Sequence, residues 1–358
     1  MKIRLQSLSV SGCARSDRTR RRLVRLAMVF IFVSLGYAVS LGQETIALVG
    51  SGSSVPAPLY TKWAETFNKR DPKMKMRYLP IGTSEGIKQI SHGSGDFGAG
   101  EVPLTAKERS EGELFEVPSI LIGIVPIYNL PGVPKDLRFS GEVLAEIFLG
   151  HVKTWKSPLL AKLNPSVNLP DLPINVVYRP AGKGSNYVFT EFLSKTSPKF
   201  RAEIGISPSP KWPAGVPAER SLDMADKVKS EPGSIGYVEA QYAIQANIPY
   251  GLVLNSDGQF VKASPETMTA ACRAVEAPHW NNLAASLTSA PGKDSFPITS
   301  FSWLYLRTTS NDPKRAAALA NLLNWMFSDG QRLAAQEGYT ELPQPLVAKV
   351  TAKISSVR

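Results

Sequence analysis

The sequence is poor in the residues that carry covalent and metal chemistry. It has two cysteines, Cys13 and Cys272, and three histidines, His92, His151 and His279. Two cysteines cannot build a disulfide framework or a four-thiolate zinc site. No histidine stands at metal-ligand spacing from another, so neither a metal nor a cofactor is expected. A G-x-S-x-G elbow and a complete Walker A motif are both missing, and no paired carboxylates stand out. A phosphatase or esterase built on the serine-rich loops would lack its base, since His92 alone lies near them in sequence. No internal repeat or low-complexity segment is present. Hydrophobic residues make up 43% and charged residues 20% of the chain, which excludes disordered and fibrous classes.

What the chain has in excess is positive charge: 41 Lys and Arg against 30 Asp and Glu, a formal +11 over 358 residues. Taken whole, that would invite nucleic acid or an anionic membrane. Its placement says otherwise. Residues 1–43 hold Lys2, Arg4, Arg15, Arg18, Arg20, Arg21, Arg22 and Arg25 against Asp17 alone, which is 8 − 1 = +7. An apolar stretch follows over residues 26–40, with small residues Ala38, Ser40 and Gly42 at its exit. This order describes a secretory signal over residues 1–42, cleaved after Ser40 or Gly42. The apolar run is shorter than the roughly 20 residues a spanning helix needs. Arg20-Arg21-Arg22 has the look of a twin-arginine signal, as an arginine-rich leader does by chance. Cys13 precedes the apolar run instead of ending it, so it is no lipidation site. Removing the leader leaves 11 − 7 = +4 and no case for nucleic acid. It also leaves Cys272 as the one thiol, in a helical stretch that suits a buried structural residue.

Past the leader, short apolar runs alternate with helical patterns, which predicts an α/β fold. Strands are expected at 46–50, 76–79, within 117–130, at 174–178 and at 234–238. Helices are expected at 56–69, 85–92, 140–149 and 187–195. Pro56 is expected at the first helical position, Ser140 as an N-cap, and Asp312-Pro313 as a helix start. Proline-rich stretches at 164–173 and 207–217 read as surface loops.

One local pattern recurs: a strand ends in a Gly/Ser/Thr loop and a helix begins. It occurs at Gly50–Pro56, at Gly82–Gly86 and at Ala181–Asn186. A helix N-terminus offers unpaired N–H groups and partial positive charge, and each loop could cradle an oxyanion. Arg179 precedes the third loop and could add a bidentate contact.

These motifs resemble the phosphate-binding component of the bacterial phosphate ABC transporter, the PstS family. The resemblance runs over nearly the whole exported chain. Its first half rests on Leu48–Tyr60, Gly82–Ile90, Asp96–Leu104 and the Gly141, Leu144, Ile147, Phe148, Gly150, Trp155 series. Its second half rests on Val176–Arg179, Pro232–Glu239, Phe296–Thr299 and the late helix with Trp325. It implies a two-lobe periplasmic-binding-protein fold of type II, the Venus flytrap, with a hinged cleft. Lobe one would take residues 44–127 and 299–358, and lobe two 128–298, with crossings near Pro126 and Ile298. The resemblance further implies a monomeric, non-enzymatic protein, free in the periplasm, that captures inorganic phosphate and docks on membrane permease subunits.

Family ligand positions fall on Ser54, Val55 through its backbone N–H, Thr83, Arg179, Lys183, Gly184 and Ser185, with Glu101 in place of the family's cleft aspartate. Lys183 departs from the usual serine, and Ala181 replaces an acid that usually supports the arginine. A cleft carboxylate can accept a hydrogen bond from protonated phosphate while repelling sulfate. If Lys183 paired with Glu101, that discrimination would weaken, and another oxyanion or a phosphorylated small molecule would become the ligand. A surface interaction protein reusing the fold is a further reading.

Overall fold

The computed structural model describes residues 45–133, 136–279 and 283–355. The expected export signal, residues 1–42, lies outside the described residues. The strands are β1 Ile46–Gly52, β2 Met74–Leu79, β3 Phe97–Gly100, β4 Leu114–Tyr128, β5 Arg138–Phe139, β6 Asn175–Tyr178, β7 Val216–Pro217, β8 Ser234–Glu239, β9 Leu252–Leu254, β10 Phe260–Val261 and β11 Thr299–Arg307. Eight of them form one sheet in the order β2-β1-β3-β11-β4-β8-β6-β7, and β10-β9-β5 form a small second sheet.

β4 explains how one sheet serves two lobes. It is buried along all 15 residues. From Leu114 to Gly123 it pairs antiparallel with β11, and from Ile124 to Tyr128 it pairs antiparallel with β8. On one side lie β1, parallel to β2 and β3, with helices Ala57–Arg70 and Thr83–Ser91 as crossovers. Such parallel pairs require connections long enough to hold a helix. On the other side β6 runs parallel to β8 and β7. The result is a two-lobe α/β fold whose lobes share a strand.

Each lobe has an aromatic core. Leu59, Tyr60, Trp63 and Phe67 of helix Ala57–Arg70 turn inward, with Tyr60 stacked on Trp63 at 5.0 Å. In the other lobe Phe189 stacks on Tyr237 at 4.2 Å, and Phe148 meets both edge-on. Burying each such ring contributes about 1.5–3 kcal/mol. The caps follow their expected chemistry. Ser140 Oγ accepts from Val143 N at 3.2 Å, and Asp312 Oδ1 from Arg315 N at 3.1 Å.

Three features differ from expectation. The first helix starts at Ala57, so Pro56 takes the N-cap position and Pro58 stands in the first turn. The central strands β3 and β11 were not anticipated; Gly98, Gly100, Ser300 and Ser302 interrupt their apolar pattern. The 207–217 segment is no bystander: Pro208 O accepts from Gly182 N at 2.9 Å and Lys183 N at 3.2 Å, so it buttresses the third loop. Among the described residues no helix is long and apolar enough to cross a membrane.

Candidate oxyanion site

The three glycine-rich loops meet where the lobes face each other. The first is shaped by Gly52, whose φ of +146° suits glycine and where an added Cβ would fall 2.0 Å from Ala99 O. This turn leads β1 into Ser53 and Ser54. The second begins helix Thr83–Ser91, with Gly82 N tied to Gly52 O at 2.7 Å. The third begins helix Gly184–Thr196, with Lys183 at its N-cap. Second and third loops touch directly, since Ser84 N donates to Gly182 O at 3.2 Å.

Glu101 stands at their junction, fully buried. Its Oε2 accepts from Ser53 Oγ at 2.6 Å and Thr83 Oγ1 at 3.3 Å, and its Oε1 from Ser302 Oγ at 2.9 Å. Burial raises its pKa from the ordinary 4.5 to about 7; the hydroxyls of Ser53 and Ser302 oppose the shift, and Glu239 adds to it. Gly184 of the facing lobe packs onto this carboxylate so closely that an added Cβ would lie 2.0 Å from Glu101 Oε2. The glycine is therefore required by close approach of the two lobes, not by its dihedral.

Arg179 follows β6 and is 1% exposed. Its Nη1 donates to Ser221 Oγ at 3.0 Å, and its Nη2 to Glu219 O at 2.8 Å and across the cleft to Ser54 Oγ at 3.2 Å. Among the described residues its Nε has no hydrogen-bond partner, and neither has the buried hydroxyl of Ser185 in the adjoining helix turn. Orphaned buried donors are uncommon and mark places where a ligand completes the bonding. One guanidinium, one hydroxyl and the N-termini of helices suit a small tetrahedral anion.

The remaining expected residues lie close by with different partners. Val55 N donates to Ser53 Oγ at 3.1 Å. Lys183 Nζ pairs with Glu219 Oε2 at 3.3 Å, not with Glu101, so Lys183 does not neutralise the cleft carboxylate. Sequence reasoning missed Ser53, Ser302, Ser221 and Glu239. Ser53 sat within the first loop and could have been weighed. Ser302 and Ser221 are far from the loops in sequence, and only the fold brings them in. Glu239 closes the Pro232–Glu239 motif but carried no local signal of a role.

Fold and site together define a two-lobed solute-binding protein whose cleft is built for a small oxyanion. A family model described as the PBP superfamily domain matches residues 39–330. The chain is 35% identical to the phosphate-binding protein PstS of Pasteurella multocida, over 92% of this chain and 96% of that one. It is 34% identical to the phosphate-binding protein PstS of Haemophilus influenzae, over 88% and 96% of the two chains. The solved phosphate-binding protein of Stenotrophomonas maltophilia superposes with a TM-score of 0.65 at 17% identity, covering 86% of this chain and 94% of that one, a likeness of fold. The chain belongs to the PstS family of the PBP superfamily.

Proposed function

We propose that the protein captures inorganic phosphate by closing its two lobes over the anion and presents it to an ABC importer. The observation that carries this reading is the buried Arg179 with its unpartnered Nε, beside the unpartnered Ser185 hydroxyl, in a chain of the PstS family. Arg179 supplies the bidentate charge, and Ser54, Thr83 and Ser185 supply hydroxyls. The backbone N–H groups of Gly184 and Ser185, and that of Val55 once it leaves Ser53 Oγ, complete the cradle, with Lys183 adding rim charge. Glu101 is the acceptor that favours an anion still carrying a proton. That Lys183 pairs with Glu219 and not with Glu101 supports phosphate over a fully ionised competitor. Lobe one holds residues 44–127 and 299–358, and the segment between them forms lobe two. The exported chain works as a free monomer in a periplasm, and its partners are membrane permease subunits.

Calorimetric titration with phosphate, arsenate and sulfate tests the reading. Phosphate and arsenate should bind and sulfate should not. Arg179→Ala removes charge-assisted bonds worth about 1.5–3 kcal/mol each, so phosphate affinity should fall at least ~100-fold. A folded protein that gives no phosphate heat, or an Arg179→Ala variant that binds as well as the parent, overturns it.

A further inference from the structure

Glu239 ends β8 and heads the helix Ala240–Gln245. It is 3% exposed, and among the described residues neither carboxylate oxygen has a partner within hydrogen-bond geometry. It lines a small pocket together with Val55, Tyr339 and Thr340. Among the described residues the Thr340 hydroxyl is also without a partner. Charged and titratable groups face Glu239 from both lobes: Arg179 after β6, Glu101 after β3, Tyr242 on its own helix, Tyr339 beyond helix Asp329–Gln336, and Tyr237 on its own strand. Burial raises the Glu239 pKa, and Arg179 opposes the rise.

The charge inventory of the cleft interior is therefore Arg179 against two carboxylates, Glu101 and Glu239. Lys183 is committed to Glu219 at the rim. A dianion entering this interior adds two more negative charges where charges are poorly screened. It also competes with Glu239 for Arg179, the opposite charge that holds Glu239 ionised. Glu101 accepts from three hydroxyls that favour its ionised form, whereas near Glu239 the Ser221 hydroxyl is the one that does so. With Glu101 engaged by the anion's own proton, Glu239 is the carboxyl left to accept a proton from water.

Resting on the oxyanion reading above, we propose that Glu239 is a specificity-determining residue whose carboxyl takes up a proton from solvent when a dianion is captured. Entry of the anion strips Glu239 of its counter-charge, and the proton neutralises what is left behind. The anion itself keeps its own proton for Glu101.

The test counts protons. Phosphate is titrated into the exported protein at about pH 8, in buffers of different ionisation enthalpy, so that the enthalpy slope gives protons taken up per anion. The parent should take up about one proton, and its Kd should weaken about tenfold per pH unit between about pH 7.5 and 9. In Glu239→Gln the count should fall by half or more and the Kd drift to threefold or less per unit. Glu239→Asp should restore both. No proton uptake by the parent, or an unchanged count in a folded Glu239→Gln, overturns the proposal while leaving phosphate capture intact. Absence of any phosphate heat in the parent overturns phosphate capture instead. Should Glu239→Gln fail to fold, the parent's count and the Glu239→Asp variant still decide.

Discussion

Glu101 is a buried acid stabilised by hydroxyls, and that choice has a consequence for pH. Its folded-state pKa, about 7, lies above the ordinary 4.5, chiefly because burial disfavours the charged form. The folded state therefore binds the proton more tightly than the unfolded chain does. The associated stability is fully present below about pH 4.5 and is lost as pH rises through about 7. A shift of this size corresponds to a loss on the order of 3 kcal/mol across that window. Glu101→Gln has no proton to lose, so denaturant unfolding at about pH 5 and pH 8 should differ less in the variant by roughly that amount. Equal pH dependence in parent and variant would show that Glu101 is not the titrating group. At this scale the sequence was informative wherever chemistry lay in a contiguous motif. Arg179, Ser54, Thr83 and Gly184, which the fold brings to the proposed site, stand out from loop patterns and family resemblance. Ser302 could not, because it lies 201 residues from Glu101 and only strand pairing joins them.

Among the elements, the helix Gly184–Thr196 shows how a sequence signal can be right for an incomplete reason. The sequence places a glycine-containing loop, which lets a ligand approach the backbone, before a helix expected at 187–195, and the helix begins three residues earlier, at Gly184. In the fold, Gly184 also lets one lobe approach the other. An alanine Cβ there would meet Glu101 Oε2 at 2.0 Å, Thr83 Oγ1 at 2.7 Å and Glu101 Cβ at 2.9 Å. Overpacking of this kind typically costs about 1–3 kcal/mol. The strain appears only when the lobes meet, since the clashing atoms belong to opposite lobes. Gly184→Ala should therefore weaken phosphate binding about 5- to 150-fold while shifting the midpoint of unfolding little without phosphate. Unchanged affinity would mean that the lobes meet differently around the anion. Strands were less legible than helices for a physical reason. β11 is central, buried on both faces, and carries Ser300 and Ser302 among its apolar residues, so neither alternation nor a continuous apolar run marks it.

For the molecule as a whole, the total charge suggested a large polyanion, and its distribution corrected that. Most of the excess, 7 of 11 charges, sits in the first 43 residues, and the rest of the chain is close to balanced. The division into lobes was legible only through resemblance, because no composition shift marks the point where β4 changes partner between Gly123 and Ile124. A strand shared by both lobes makes the hinge a continuous piece of sheet, and contacts beside the cleft then set how readily the lobes stay together. Two such contacts stand apart from the proposed anion ligands. Tyr242 OH donates to Ser54 O at 3.0 Å, and Gln241 Nε2 donates to Glu337 O at 2.9 Å. A bond made only with the lobes together stabilises the closed form, and thus slows release more than it speeds entry. Tyr242→Phe removes one such bond, worth about 0.5–1.5 kcal/mol, without deleting a group that touches the anion. Phosphate Kd should rise about 2- to 12-fold, carried by a faster off-rate in stopped-flow displacement with the on-rate nearly constant. If the on-rate fell instead, Tyr242 would be shaping the open cleft and not holding it shut.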